Sequence, residues 1–240
     1  MSKISSLFLS KFKSIYLLFK NPITKNPFLF ILESLKYYFL KFGKSKLRSY
    51  SQAGQDKFVM TILQRKFNGK YIEIGSCEPI GFNNTYILEN EYGWSGFSLD
   101  IQEKFVKKFN LIRKNKCYLA DGTTFNYFEQ IKNTWGDIDR IDYLQVDCDP
   151  AENTYKCLCS LPLDKVRFSV ITYETDYYVS GDKFRTLSRK KLNDYGYQLV
   201  ASDVCYLNSP FEDWYVDPTY VDFNIFKYFI CNLKEGKYIC

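Results

Sequence analysis

Four acidic residues stand where short apolar runs end, and they are the side chains best placed to bind a ligand or move a proton. They are Glu73, Asp100, Asp121 and Asp147. In a parallel sheet the carboxyl ends of the strands share one edge, and open α/β sheets bind ligands there. Each acid alone could instead cap a following helix. Because four successive runs end in an acid, the pattern favours a shared ligand site.

A strand, a glycine loop and a helix follow one another from residue 71. Residues 71–74 form an apolar run that predicts a buried strand, and glycines follow at Gly75 and Gly81. A helix then begins, with Asn83 or Asn84 as its predicted cap. Glycine lets the backbone approach a ligand closely. The spacing is not G-x-G-x-x-G, so a dinucleotide fingerprint is not indicated, and an ordinary strand-to-helix turn is the alternative.

The composition excludes several kinds of catalytic centre. The chain contains no histidine, so Ser-His-Asp and Cys-His mechanisms and histidine-ligated metals are excluded. A general base must therefore be a carboxylate, Lys, Tyr or Cys. The eight cysteines have no Cys-x-x-Cys spacing, so neither a zinc site nor a disulfide framework is indicated. Scattered buried thiols fit a reducing compartment, and we expect a cytoplasmic protein.

The positive charge is concentrated in the first 48 residues. They hold ten Lys and Arg but one acid, whereas residues 49–240 hold 23 basic and 26 acidic residues, a net charge of −3. Apolar residues at helical spacing predict basic amphipathic helices there, too short to span a bilayer. We expect residues 1–48 to form a helical arm that lies on an anionic membrane surface or packs against a protein. Residues 49–240 form the predicted α/β domain.

Strand-like and helix-like stretches alternate from residue 50 onwards. This alternation predicts a mainly parallel sheet with helices on both faces. The predicted strands are 71–74, 94–99, 117–120, 141–146, 168–173 and 197–202, and the main helices are 103–115, 125–132 and 183–195. The segment 220–240 is expected to close the sheet as an antiparallel pair.

Several motifs in this order resemble one family. They are Ser51-Gln52-x-x-Gln55-Asp56, Tyr71-Ile72-Glu73-Ile74-Gly75, Asn84-Thr85-x-x-Leu88-Glu89 and Gly93-Trp94-x-Gly96. Over residues 50–205 the chain resembles the FkbM-type methyltransferases, which have the Rossmann-like class I fold and use S-adenosylmethionine. The resemblance implies an O-methyltransferase that acts on a hydroxyl, such as one of a sugar or glycan.

The resemblance also implies roles for individual residues. Asp100 would hold the ribose of the cofactor, and Asp121 would lie beside the adenine. The residues implied to contact the remainder of the cofactor are Glu73, Gly75, Ser76, Asn84 and Thr85. Asp147 matches the family's acidic position after the fourth strand, next to the transferring methyl group.

Methyl transfer to a hydroxyl needs in-line positioning and a group that accepts the proton. Asp147 is the predicted general base, assisted by Asp149 or Glu174. These three carboxylates could instead gather a divalent cation, which is possible but not favoured, so no metal is predicted. The segments 174–178 and 211–214 either shape the acceptor pocket or form a loop cap and a packed aromatic.

Two departures from the family pattern bear on activity. Cys77, Glu78 and Pro79 lie in the glycine loop, and Cys148-Asp149-Pro150 replaces the usual Glu-Gly step after Asp147. Cofactor binding is therefore better supported than turnover, and a non-catalytic binding module attached through its arm is the main alternative. A nucleic-acid acceptor is disfavoured because the domain is net negative, and phosphate binding needs clustered positive charge.

Overall fold

A seven-stranded sheet runs through the part of the chain that the computed structural model describes, residues 48–227. The predicted helical arm, apart from Arg48, lies outside these residues, and so does the predicted pairing of residues 228–240. The strands are β1 (Lys70–Ile74), β2 (Ser95–Asp100), β3 (Lys116–Leu119), β4 (Arg140–Val146), β5 (Arg167–Glu174), β6 (Gln198–Tyr206) and β7 (Ser209–Val216).

The order of the strands is β3-β2-β1-β4-β5-β7-β6. Strands β1 to β5 pair in parallel, whereas β7 runs antiparallel to both β5 and β6. The chain therefore winds outwards from β1 in one direction and then from β4 in the other. Such a reversal leaves a crevice at the carboxyl ends of the two central strands. The predicted fold class, a mostly parallel Rossmann-like sheet, is confirmed.

Helices cover both faces of this sheet, as predicted. Those among the described residues are α1 (Gln55–Ile62), α2 (Tyr86–Tyr92), α3 (Glu103–Ile112), α4 (Tyr127–Trp135), α5 (Ala151–Ser160), α6 (Tyr177–Ser180), α7 (Asp182–Asp194) and α8 (Phe223–Phe226). Helices α4, α5 and α7 supply side chains to one apolar core, and α1, α2 and α8 supply the other. None of the helices within residues 48–227 has the length and apolarity needed to cross a membrane.

Alternation along the strands assigns side chains to these two cores. On β1, Ile72 and Ile74 belong to the core under α4 and α5, whereas Tyr71 belongs to the core under α1 and α2. On β4, Leu144 and Tyr143 divide in the same way. Parallel strands buried on both faces are expected to be rich in β-branched and aromatic residues. This is why the strands could be recognised as apolar runs.

Three predictions about the elements are wrong in detail. Helix α2 has Thr85 at its N-cap position, not Asn83 or Asn84. Instead, the Asn83 side chain accepts from the Thr85 backbone N–H, so it shapes the turn before the helix. The antiparallel strand is β7, and residues 220–227 contribute the short helix α8 rather than a strand. Helix α3 ends at Ile112, three residues earlier than predicted.

The early end of α3 releases Arg113 into the interior. Its side chain is almost fully buried and forms an ion pair with Glu89 of α2 at 2.9 Å. The two terminal guanidinium nitrogens donate to Pro79 O, Asn83 Oδ1, Tyr71 OH and Thr85 Oγ1 at 3.0–3.2 Å. Arginine has five N–H donors, and all of them are directed at partners here. This network joins β1, the glycine loop and α2.

We expect Arg113→Ala to lower the free energy of unfolding by about 3–5 kcal/mol, because the buried Glu89 carboxylate would lose its counter-charge. Lys107 of α3, the helix that ends just before Arg113, is the matched control, since its pair with Glu103 is exposed at i, i+4. Lys107→Ala should cost no more than about 0.5 kcal/mol. Urea unfolding of both variants measures the difference. Equal shifts in the two variants would show that the network does not stabilise the domain.

Candidate active site

A cavity of about 380 Å³ opens at the carboxyl edge of the sheet, where the strand order reverses between β1 and β4. This is the position at which open α/β sheets bind ligands, and the volume is typical of small-molecule pockets. Nine of the ten residues predicted as site residues line it. They are Glu73, Gly75, Ser76, Asn84, Asp100, Asp121, Asp147, Asp149 and Glu174.

A second, larger depression of about 730 Å³ lies between residues 49–61 and the turn that joins β6 to β7. Among the described residues, its lining includes no carboxylate and none of the strand-end acids. It therefore holds none of the carboxylates predicted to bind a ligand or accept a proton. The smaller cavity is the candidate active site.

A row of buried polar side chains crosses four neighbouring strands at the base of this cavity. Glu73 lies in register with Ser98 and with Gln145, and Gln145 lies in register with Thr172. Ser98 Oγ donates to Glu73 Oε2 at 2.7 Å, and the Thr172 hydroxyl is 2.7 Å from that of Tyr143. Gln145 is 2% exposed, and its Oε1 has no hydrogen-bond partner in the described part of the chain. Since buried polar atoms are normally paired, this oxygen marks a position at which a ligand can donate.

Burial raises the pKa of Glu73 to about 7. The positive charge of Arg113 and the hydrogen bond from Ser98 act in the opposite direction and limit the rise. At neutral pH the carboxyl group is therefore poised between its two forms. A cationic group in the cavity would favour the ionised form.

Gly75 is required where β1 ends. Its φ is +81°, and a β-carbon added there would lie 1.7 Å from the carbonyl oxygen of Asp147. The backbone therefore passes directly against the end of β4, which is bonded to β1 through Asp147 N and Ile74 O at 3.0 Å. Only glycine combines this conformation with this approach. By contrast, Gly81 has no positive φ, and a β-carbon there would meet nothing within 4 Å.

The carboxylate of Asp100 anchors the glycine loop to β2. Its Oδ2 accepts from the backbone N–H of Cys77 at 2.8 Å, and its Oδ1 accepts from that of Gln102 at 2.7 Å. Each carboxylate oxygen has a further acceptor position, so the group can still bind hydroxyls of a ligand. Asp121 lies exposed at the rim, where bonds from the Thr123 hydroxyl and N–H lower its pKa.

Of the remaining residues implied to bind the cofactor, Ser76 and Asn84 line the cavity and Thr85 does not. Ser76 is buried, and its hydroxyl lies 3.3 Å from the sulfur of Cys117. Asn84 lines the cavity, and its Oδ1 has no partner in the described residues. Thr85 does not line the cavity. It is fully buried, and its hydroxyl accepts from Arg113 and lies within hydrogen-bonding distance of Asn83.

A cluster of acidic side chains lies beside the ends of β4 and β5. Carboxylate oxygens of Asp149, Glu174 and Asp176 are within 4.8 Å of one another, and Asp147 neighbours Glu174. Burial and the neighbouring Asp147 raise the pKa of Glu174 far above its usual range. Burial also raises the pKa of Asp147, and burial together with Asp149 raises that of Asp176 to about 7. No Lys or Arg of the described residues lines this cavity.

Asp176 and Gln145 were not predicted as site residues. The chain nevertheless carries a signal for each. An acid-x-acid spacing recurs at the ends of two neighbouring strands, in Asp147-Cys148-Asp149 and Glu174-Thr175-Asp176. Gln145 interrupts an otherwise apolar strand, and buried polar residues are informative.

The segment 211–214 does not contribute to this cavity. It is part of β7, and Trp214 packs in the core against Phe58 with a ring-centroid distance of 4.6 Å. Its indole N–H donates to Glu212 Oε2 at 2.6 Å. The packed aromatic is therefore the correct alternative for this segment. In the segment 174–178, Glu174 and Tyr178 do line the cavity, so this segment does help to shape it.

Exposed apolar side chains surround the mouth of the cavity. Phe82, Ile101 and Tyr178 are all more than half exposed and line the opening. They come from the glycine loop, from the residue after β2 and from α6. Rings of this kind can contact a flat or cyclic ligand through their faces. The mouth therefore combines these apolar side chains with the exposed Asp121, whereas the interior is acidic.

Comparisons with known proteins find methyltransferase structures. The fold is similar to a putative rRNA methylase from Clostridium thermocellum, with 17% identity, 71% of this chain and 97% of that chain covered, and a TM-score of 0.45. It is also similar to the N-methyltransferase NodS from Bradyrhizobium japonicum, solved with S-adenosylhomocysteine, with 8% identity, coverages of 72% and 90%, and a TM-score of 0.45. A TehB-like methyltransferase from Corynebacterium glutamicum is also similar in fold. It shares 12% identity over 80% of this chain and 100% of that chain, with a TM-score of 0.42.

No family model matches the chain, so the FkbM-type resemblance is not confirmed. No curated protein matches either. At these identities the structural similarities concern the fold alone. These similar structures include rRNA methylases and an N-methyltransferase, so they leave the acceptor of this chain open, and they do not support the expectation against a nucleic acid.

We expect Gly75→Ala to destabilise the domain markedly and to abolish ligand binding in the cavity, because the added methyl group would overlap the Asp147 carbonyl. Gly81→Ala, in the same loop, should be tolerated within about 1 kcal/mol. Thermal unfolding of the two variants, compared with the wild type, measures this difference. If both variants unfolded at the wild-type temperature, the close approach of β1 and β4 would be wrong.

Proposed function

We propose that this chain is an S-adenosylmethionine-dependent methyltransferase whose cofactor binds in the cavity at the carboxyl edge. One observation supports this most strongly: acids that end four successive strands, Glu73, Asp100, Asp121 and Asp147, all line that one cavity at the reversal of the strand order. Four independent helix caps would not need to face a common space. A ligand with several hydroxyl and cationic groups would use all four.

The residues suit a nucleoside attached to an amino acid. Asp100, at the end of the second strand, has the position that accepts from ribose hydroxyls, and Asp121 at the rim would lie beside the adenine. Glu73, together with Asn84 Oδ1, offers acceptors for the ammonium group of the methionine part. The backbone at Gly75 permits close approach of the chain to the ligand. Ser76 would contact the ligand mainly through its backbone, because its hydroxyl is turned towards Cys117.

The reaction that we propose is transfer of the cofactor's methyl group to a hydroxyl, such as that of a sugar or glycan. S-adenosylmethionine supplies the electrophilic methyl group when bound. Asp147 is the proposed general base, because burial raises its pKa while the neighbouring Glu174 retains its proton. A raised pKa makes Asp147 a better proton acceptor near neutral pH. Asp149 and Glu174 assist by positioning the acceptor hydroxyl.

We propose that the domain occupies residues 49–240 and acts in the cytoplasm. The basic segment 1–48 would hold it at an anionic membrane surface. Residues 1–48 have a net charge of +9 and residues 49–240 a net charge of −3. This difference supports membrane attachment by the first segment and chemistry in the second. Co-sedimentation of the full chain with vesicles containing anionic lipids tests the attachment.

Calorimetric titration of the full chain with S-adenosylmethionine and S-adenosylhomocysteine tests the cofactor site. Asp100→Asn should weaken both ligands by roughly 10–100-fold, because charge-assisted bonds to the ribose would be lost. The amide oxygen of the variant can still accept from Cys77 N–H and so preserve the loop. Asp194→Asn is the control, since Asp194 is an exposed acid paired with Lys190.

The possible results separate the two classes of function. Binding that is weakened only by Asp100→Asn would support the site, and formation of S-adenosylhomocysteine with an acceptor would establish catalysis. Binding without turnover over a panel of hydroxyl compounds would favour the non-catalytic module. No binding by a folded wild-type chain at millimolar ligand would refute the proposal.

The titration of Glu73 predicts how binding depends on pH. If the ligand's ammonium group requires ionised Glu73, affinity should fall by roughly tenfold between pH 8 and pH 6, as the carboxylate of the free protein gains a proton near pH 7. Glu73→Gln should bind more weakly at pH 8 and lose this part of the pH dependence. Calorimetry at several pH values checks both effects. An identical pH profile in the variant would remove Glu73 from cofactor binding.

A further inference from the structure

Within residues 48–227, no Lys or Arg forms an ion pair with the carboxylates beside β4 and β5, although several buried acids elsewhere in the domain have such a pair. Glu89, Asp213 and Asp217 are each paired with an arginine at 2.7–2.9 Å, through Arg113, Arg189 and Arg167. Asp149, Glu174, Asp176 and the adjacent Asp147 have no such partner among the described residues. The cavity that Asp147, Asp149 and Glu174 line contains no Lys or Arg of the described residues. Carboxylates gathered this closely need either a counter-charge or protons.

The geometry of three of these groups fits a single ion. One oxygen each from Asp149, Glu174 and Asp176 lies within 4.8 Å of the others. Oxygen ligands bind divalent cations at about 2.0–2.6 Å, so one ion between these groups can reach all three. The residues lie at or just after the ends of two parallel neighbouring strands, where Val146 pairs with Tyr173. The arrangement is therefore fixed by the sheet and by the start of α6.

A second, independent observation comes from Gln145. This side chain is 98% buried and lines the same cavity as Asp147, Asp149 and Glu174, yet within residues 48–227 its Oε1 has no hydrogen-bond partner. It belongs to the polar row and not to the acidic cluster. An unpaired amide oxygen in an acidic cavity is complementary to a cation or to a water molecule that a cation holds.

We propose that Asp149, Glu174 and Asp176 bind one divalent cation, with Asp147 directly beside it. All the ligands are hard carboxylate oxygens, and the chain has no histidine. Such a set selects Mg²⁺, Mn²⁺ or Ca²⁺ over softer metals. Three carboxylates also compensate a doubly charged ion better than they would a single ammonium group. This reverses the expectation from the sequence that no metal is bound.

The cation would define the acceptor, and this step rests on the proposed function. Three protein ligands leave positions open on an ion that takes six or more ligands. An acceptor with two neighbouring hydroxyls can occupy two of these positions and so present one oxygen to the methyl group and to Asp147. We therefore expect vicinal diols, as in sugars, to be preferred over compounds with one isolated hydroxyl.

Titration of the chelator-treated full chain with Mn²⁺, followed by the electron paramagnetic resonance signal of the free ion, tests the site without any turnover. The expected result is one bound Mn²⁺ per chain, displaced by Mg²⁺ or Ca²⁺. Asp176→Asn and Asp149→Asn should each weaken Mn²⁺ binding by at least about tenfold. Asp164→Asn, an exposed acid remote from the cavity, should bind Mn²⁺ as the wild type does.

Asp149 is exposed, so its substitution keeps the test decisive even if the buried Asp176 variant does not fold. Absence of Mn²⁺ binding by the folded wild type at millimolar ion would overturn the proposal. Mn²⁺ binding that Asp149→Asn and Asp164→Asn weaken equally would also overturn it. Because no cofactor is present, these results are independent of S-adenosylmethionine binding. Failure of the cofactor titration alone would leave the cation site standing and refute only the methyltransferase.

Discussion

The pairing of Arg113 with Glu89 is the interaction on which the geometry of the candidate site depends. Glu89 accepts from Arg113, Tyr71, Lys114 N–H and Asn115, while Arg113 donates to the glycine loop as well. A buried ion pair is favourable only when its remaining donors and acceptors are satisfied, and here they are. The loop between β1 and α2 therefore has one arrangement. That arrangement sets where Gly75, Ser76 and Asn84 meet a ligand.

The acidic cavity stands in contrast to this satisfied network. In the network both charges are paired with each other. The cavity, by contrast, contains carboxyl groups with no Lys or Arg beside them and two unpaired amide oxygens, those of Gln145 and Asn84, among the residues that the structure describes. Keeping Glu73, Asp147, Glu174 and Asp176 together lowers stability, and burial raises the pKa of each. Functional sites are where such a cost is retained. A positively charged ligand group would offset this loss of stability. Both the cofactor's ammonium group and a divalent cation are positively charged.

The elements and the location of the site could be predicted from the sequence because both follow from local patterns. Buried parallel strands are apolar runs, and the acids at their ends must meet at one edge once the strands are parallel. Thr85 shows the limit of such reasoning. It belongs to the Asn-Thr-x-x-Leu-Glu motif, but its hydroxyl bonds Arg113, about thirty positions later in the chain. A motif therefore marks a group of residues, but only the fold distinguishes the residues that line the cavity from those that stabilise its walls.

Strand β7 and Asp176 were missed for related reasons. Residues 209–216 contain Pro, Glu and Asp, which weaken an apolar-run signal, and the strand is fixed by pairing with β5 and β6. Asp176 enters the acidic cluster because its backbone turns into the left-handed region at φ +48° directly after β5. Nothing local in the sequence indicates that turn. The position of β7 thus depends on long-range strand pairing, and the position of Asp176 depends on one backbone turn.

A crystal structure of the full chain grown with S-adenosylhomocysteine tests the central claim most directly. We expect the ligand to lie in the 380 Å³ cavity, with its ribose hydroxyls at hydrogen-bonding distance from Asp100 and its sulfur facing Asp147. Its amino group would lie at Glu73. Density for the ligand in the depression beside residues 49–61, or a cavity without ligand at saturating concentration, would contradict the account.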